Sequence, residues 1–172
     1  MRPSRPRSTQ INGTTHLNLS PLRANRKPRL SRLLQPHKSS LIMASAFETV
    51  ADAFLNFYYQ SFDGPRHELA MVYRDQSMLS YEGGGVMGAA AIMEKLQNLN
   101  FGQIQHRRDT TDVQPVGDDA IIIMVTGALI IQGEERPTGF SQTFHLKNEI
   151  DANGGSNWWI FNEIFRLNFP VA

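Results

Sequence analysis

The sequence predicts an α+β domain. A strongly curved antiparallel sheet packs against three helices in a cone-shaped fold enclosing an apolar cavity. Three observations point there. Apolar residues recur at spacings of three and four from Phe47 to Phe62, the period of an amphipathic helix. Every apolar segment after Asn100 instead follows the two-residue period of strands. The run from Ala120 to Ile131 is nearly continuous in β-branched residues and too long to stay straight in a small sheet.

The elements follow in order. Phe47, Val50, Ala51, Phe54, Tyr58 and Phe62 form one face of the first helix. Ser45, with Glu48 three positions on, predicts its N-cap and capping box, and Asp63-Gly64-Pro65 its end. A shorter helical stretch is expected near His67 to Tyr73, then a short strand over Met78 to Tyr81 and a turn at Gly83-Gly84-Gly85. Ala89, Ile92, Met93 and Leu96 mark a third helix. Strands are expected over 104–113, 120–131, 140–150 and 158–169. Gly117-Asp118-Asp119, Gln132-Gly133-Glu134-Glu135 and Asp151-Ala152-Asn153-Gly154-Gly155 are the turns between them.

Charge divides the chain in two. Residues 1–42 hold nine Lys or Arg and no carboxylate, while residues 43–172 hold eight basic and sixteen acidic residues, a net of −8. The first segment, poor in apolar residues, reads as a disordered basic extension ahead of a domain spanning 43–172. Three readings of it stay open: an organelle transit peptide, a loose nucleic-acid or import patch, or leader sequence ahead of a true start at Met43. The acidic domain argues against nucleic acid and for a basic protein partner. No run approaches the roughly eighteen apolar residues of a membrane span, so no membrane partner is expected. The chain has no cysteine, which excludes disulfides and thiolate metal sites.

Sites are weighed residue by residue. Gly83, Gly85 and Gly88 match a dinucleotide fingerprint, with Asp109 further on. The following strands read as hairpins rather than crossovers, so the glycines are taken as a turn. Tyr58, Tyr59, Asp75, His106 and Asp109 could line a catalytic pocket, but no spacing pairs them. His106, followed by Arg107 and Arg108, is expected at a polar surface. His67, His106 and His145 show no metal-ligand spacing. Neither a cofactor nor a metal is expected. Trp158 and Trp159 are adjacent, so one should face away from the core and, beside Phe161, mark an interface.

Longer motifs carry a resemblance. Phe54-Leu55-Asn56-Phe57-Tyr58-Tyr59-Gln60-Ser61-Phe62-Asp63 resembles the first helix of the nuclear transport factor 2 family. Leu79-Ser80-Tyr81-Glu82-Gly83 and Gly88-Ala89-Ala90-Ala91-Ile92-Met93-Glu94-Lys95-Leu96 resemble its Glu-Gly turn and third helix. Ile104-Gln105-His106, Asp112-Val113-Gln114-Pro115, the run 139–146 and the run 161–168 continue the match in register. The resemblance implies no catalysis, a homodimer formed through the sheets, and residence in cytoplasm and nucleus, enriched at the nuclear envelope. An organelle address would apply only if residues 1–42 act as a transit peptide. It implies two partners. One is the GTPase Ran in its GDP form, whose switch region inserts an aromatic ring into the cavity mouth while rim carboxylates meet its cations. The other is the Phe-Gly repeats of nuclear pore proteins. Carried over by position, Glu82, Glu134, Glu135 and Tyr81 would bind Ran, and Phe47 would contact the repeats. Gln132-Gly133 and Arg136 depart from the vertebrate pattern of the acidic loop. Glu82→Lys is then expected to abolish Ran binding with the fold intact.

Overall fold

The computed structural model describes residues 38–169, with side chains from residue 46 onward. Most of the basic extension expected over 1–42 lies outside the described residues. Helix α1 spans Lys38–Asp63, so it begins upstream of the expected start. Ser45 lies inside it, and the expected N-cap does not form. Nothing between Lys38 and Ser45 is a glycine or proline, so no local signal stops the helix from extending. Phe47, Ala51, Phe54, Leu55, Tyr58, Tyr59 and Phe62 form its buried face.

A short 3₁₀ helix, Arg66–Val72, follows. Strand β1 is Tyr73–Tyr81 and β2 is Gly84–Met87. The expected glycine turn is therefore shorter, because Gly84 and Gly85 are already strand. Helix α2 is Ala89–Gln97. Strands β3 (Ile104–Pro115), β4 (Ala120–Ile131), β5 (Thr138–Ile150) and β6 (Ser156–Asn168) complete the chain close to their expected limits.

The six strands form one sheet in the order β2-β1-β6-β5-β4-β3. Four of its pairings are antiparallel, as expected, but β1 and β6 run parallel, Tyr81 opposite Phe165. Pairing between strands so far apart in sequence leaves no mark in local alternation. Register shifts interrupt β1 between Tyr73 and Met78, β3 between Arg108 and Thr110, and the β5–β6 pair between His145 and Leu146. Such bulges bend a strand and raise its twist, which curves the sheet around α1. The first is held by Ser77, whose Oγ donates to Ile160 O and accepts from Arg74 N–H.

The inner face is filled by Leu79, Ile121, Ile123, Val125, Phe140, Phe144, Leu146, Ile160 and Phe165 against α1. An apolar interior omits one feature. Glu163, 2% exposed, points inward from β6. Its Oε1 accepts from Tyr58 Oη (2.7 Å) and Gln142 Nε2 (2.8 Å), and its Oε2 accepts from Tyr73 Oη (2.6 Å). Tyr59 Oη donates to Gln142 Oε1 at 2.8 Å. Burial pushes the Glu163 carboxyl above the usual range, against the pull of its three donors. Burial and the neighbouring carboxylate raise both Tyr58 and Tyr73, which keeps the phenols protonated as donors.

Two predictions follow from this packing. Tyr73→Phe removes one donor to a buried charged group and should cost roughly 1.5–3 kcal/mol, read as a lower urea midpoint. An unchanged midpoint would show the cluster to be dispensable. A Cβ on Gly127 would overlap the Arg107 carbonyl oxygen and lie 2.9 Å from Phe140 Cε1. Gly127→Ala should therefore lower stability by about 1–3 kcal/mol, measured by the same denaturation.

Candidate functional site

One end of the sheet gathers the residues singled out in the sequence. The β1–β2 hairpin turns through two residues, Glu82 and Gly83, with φ of 49° and 82°. Two positive φ values suit the right-handed twist of a tight hairpin, where glycine or asparagine is the unstrained choice. Glutamate in that conformation carries backbone strain. Its own bonds hold it: Glu82 N–H donates to Phe165 O at 3.1 Å, and Glu82 Oε1 accepts from Leu167 N–H at 2.6 Å. The side chain is exposed at this end of the sheet and partly committed to the backbone of β6.

Strand register puts the Gln132–Pro137 loop at the same end. Asn168 of β6 stands opposite Gly139 of β5, and the loop joins β5 to β4. Glu134 and Glu135 are exposed there, with Arg136 beside them. A groove is lined by Arg136, Pro137, Thr138, Gly139, Asn168 and Phe169, whose ring is 68% exposed. Phe169, expected as the end of the last strand, lies just past β6 instead.

A belt of rings crosses the inner face just below this rim. Tyr81 stacks on Phe165 with centroids 4.7 Å apart and planes 3° from parallel. Phe165 stacks on Phe140 at 5.7 Å, and Phe140 meets the His106 ring edge-on at 5.3 Å. Tyr81 is thus a buried floor residue rather than a projecting contact. Its hydroxyl is buried without a hydrogen-bond partner, and burial pushes the phenol upward. Lys95 Nζ lies 5.6 Å from the centre of its ring and close to Gly84, so a cation sits beside the hairpin.

His106 corrects the expectation of a polar surface position. Its side chain is 1% exposed, clasped by Tyr59, Phe62 and Phe140. Asp63, the last residue of α1, takes the His106 backbone N–H on Oδ2 (2.8 Å) and the ring Nδ1 on Oδ1 (2.5 Å). The aspartate read as a helix stop therefore also orients a histidine across 43 residues of sequence. Of the other pocket candidates, Tyr58 and Tyr59 belong to the Glu163 cluster. Asp75 is exposed, and Asp109 pairs with Arg107 at 2.8 Å on an exposed strand. The structure does not bring these five residues to one site.

Phe47 is buried, not displayed. It packs edge-on to Trp158 with centroids 6.5 Å apart. Trp159 is buried too, and its indole N–H has no partner. Trp159 does stand beside Phe161, edge-on at 5.8 Å and apart from the core cluster that Trp158 packs against, but at 4% exposure it is not the exposed tryptophan expected there. The outer face of the sheet is nonetheless apolar: Met78, Met87, Ile122, Met124 and Ile164 are all exposed. The glycine fingerprint resolves as a hairpin, with Gly83 in the turn, Gly85 opposite Ser80 in β2, and Gly88 preceding α2.

Comparison with known proteins agrees with this geometry. Residues 50–167 match the family model described as the nuclear transport factor 2 domain. A relative named nuclear transport factor 2, from Schizosaccharomyces pombe, is 43% identical over 124 residues, covering 72% of this chain and 97% of the relative. The solved structure of nuclear transport factor 2 from Cryptosporidium parvum matches with a TM-score of 0.64 and 38% identity, over 71% of this chain and 94% of that one. A putative scytalone dehydratase from Novosphingobium aromaticivorans shares the fold, with a TM-score of 0.57 and 14% identity over 77% of this chain and 89% of that one. The aromatic floor, the strained turn glutamate and the curved six-stranded sheet thus sit in a chain that belongs to the nuclear transport factor 2 domain family.

Proposed function

We propose that this chain is a nucleocytoplasmic transport factor, not an enzyme, that binds Ran in its GDP form and Phe-Gly repeats of nuclear pore proteins. In this reading it works as a homodimer, moves between cytoplasm and nucleus, and concentrates at the nuclear envelope. The observation that carries the reading is Glu82. A glutamate held in a left-handed turn conformation, beside the buried Tyr81–Phe165 stack, stands where glycine or asparagine would be unstrained. Its Oε1 secures the turn to β6, an acceptor's task that needs no charge, and in this reading the charge serves a partner.

The surroundings support it. Glu134 and Glu135 extend from the same end, and the domain carries a net of −8 from residue 43 onward. That field draws a cationic partner in and speeds encounter. The stacked rings of Tyr81, Phe165 and Phe140 lie buried behind the turn and would back an aromatic side chain inserted there. Tyr81 contributes as floor, and Glu82, Glu134 and Glu135 as rim. Phe47 supports repeat binding by bracing Trp158, which is half-buried. Repeat binding is weak per site and gains strength through many repeats.

The clasped Asp63–His106 pair favours a second reading, a small-molecule isomerase or dehydratase on the same cone. A third reading is a dimerisation or interaction module alone; a stable dimer that ignores Ran would support it.

Glu82→Gln separates site from scaffold, since the amide oxygen still accepts from Leu167 N–H while the charge is lost. Its affinity for Ran-GDP, by calorimetry, should fall about tenfold or more (~1.4 kcal/mol) with an unchanged melting temperature. Glu82→Lys, which removes both, should lose binding and some stability. Unchanged affinity in Glu82→Gln would overturn the assignment.

A further inference from the structure

The hairpin that holds Glu82 carries cations as well. On β6, Arg166 follows the inward Phe165, so it leaves the sheet on the outer side, and it is exposed. Its guanidinium lies against Gly83: Nη2, Nη1 and Cζ stand 3.3, 3.5 and 3.7 Å from where a Cβ of that residue would sit. Lys95 of α2 approaches from the inner side. Its Nζ is 5.6 Å from the centre of the Tyr81 ring and 3.7 Å from the Cβ position of Gly84. The two glycines leave room for both cations. In the neighbouring loop, Arg136 follows Glu134 and Glu135.

Neither Lys95 nor Arg166 is committed to a carboxylate of the chain. Among the described residues the ion pairs are Asp63–His106 and Arg107–Asp109, away from this hairpin. Glu82 gives its Oε1 to Leu167 N–H rather than to either cation. The hairpin and the loop thus set Glu82, Glu134 and Glu135 beside Lys95, Arg136 and Arg166, three of each sign, in a domain whose net is −8. The field of the whole domain draws a cationic partner from a distance. At contact, a segment carrying only positive groups would meet as many like charges as opposite ones, and like charges brought together weaken binding.

The chemistry of the missing anion follows from the neighbours. The guanidinium of Arg166 is a planar fork of N–H donors that matches the two oxygens of a carboxylate, and the Lys95 ammonium is a point charge. Each has Glu82 close by in the same hairpin. A carboxylate, with a single charge, is opposed less by that glutamate than a phosphate monoester carrying nearly two.

We infer that the rim recognises a segment of mixed charge: acidic side chains of the partner, on either side of the cation that Glu82 meets, pair with Lys95 and Arg166. The inference rests on the transport-factor reading above and fixes the sign of these two residues, which strengthen binding at an acidic rim instead of opposing it. Basic proteins that lack flanking acids are drawn near by the field and then refused at contact.

The test is calorimetric titration of the full chain with Ran-GDP, comparing the native chain with Lys95→Gln, Arg166→Gln and the double variant. Each single variant should bind about twofold to fivefold more weakly, and the double variant about tenfold more weakly, with unchanged melting temperatures. The loss of affinity on adding salt should be shallower in the double variant, because two pairings are gone. Unchanged or tighter binding by the double variant would mean that the cations only repel; it overturns the inference and leaves the transport reading standing. Sedimentation velocity on the same variants checks the other source of carboxylates. Weaker self-association with unchanged Ran affinity would assign the cations to a second copy of this chain and overturn the inference too. No binding by the native chain would remove both readings.

Discussion

The carboxylate of Glu163 binds the domain together. Its three hydrogen bonds reach α1 through Tyr58, β1 through Tyr73 and β5 through Gln142, from a position on β6. A buried charge is tolerated only when its lone pairs are satisfied, so these four elements must arrive in one arrangement or leave an orphan. The cluster thereby sets how α1 lies across the sheet. From that placement follow Asp63 at the helix end, His106 against it, and the ring belt below the rim. An apolar interior would be adequate for stability. The polar cluster adds specificity of arrangement, which a preformed site requires.

Much of this was legible in the sequence. Helix α1 showed in the spacing of Phe47, Phe54, Tyr58 and Phe62, and β4 in its β-branched run, because both patterns are local. Motif resemblance located Glu82 and the Glu134–Glu135 loop. What stayed hidden depends on contacts between distant residues. Simple alternation along β6 groups Ile164 with Trp158 and Ile160, yet the bulge at Phe161 reverses the phase, so Glu163 and Phe165 turn inward and Ile164 outward. The partnership of Asp63 with His106 was invisible for the same reason. Asp63 carried a sufficient local reading as a helix stop, and the arginines after His106 pointed it to solvent. The parallel β1–β6 pair has no local signal at all.

The two faces of the sheet differ in character. The inner face ends in a buried stack of rings, with the exposed carboxylates of Glu82, Glu134 and Glu135 at the same end of the sheet. The outer face is apolar, with Met78, Ile122, Met124 and Ile164 exposed. They share strands β1, β5 and β6, of which β5 carries Phe140 and β6 carries Phe165. Cations also stand at the rim: Lys95 lies over Tyr81, and the Arg166 guanidinium lies against Gly83. A cationic partner of the kind proposed would have to bring its positive groups to Glu82 and the acidic loop while keeping them from these two.

Isothermal titration of the full chain with Ran loaded with GDP and, separately, with GTP tests the central claim most directly. The account predicts saturable binding of the GDP form at one Ran per chain, weakened by salt, and little heat with the GTP form. No binding to either form, or equal binding to both, would contradict it.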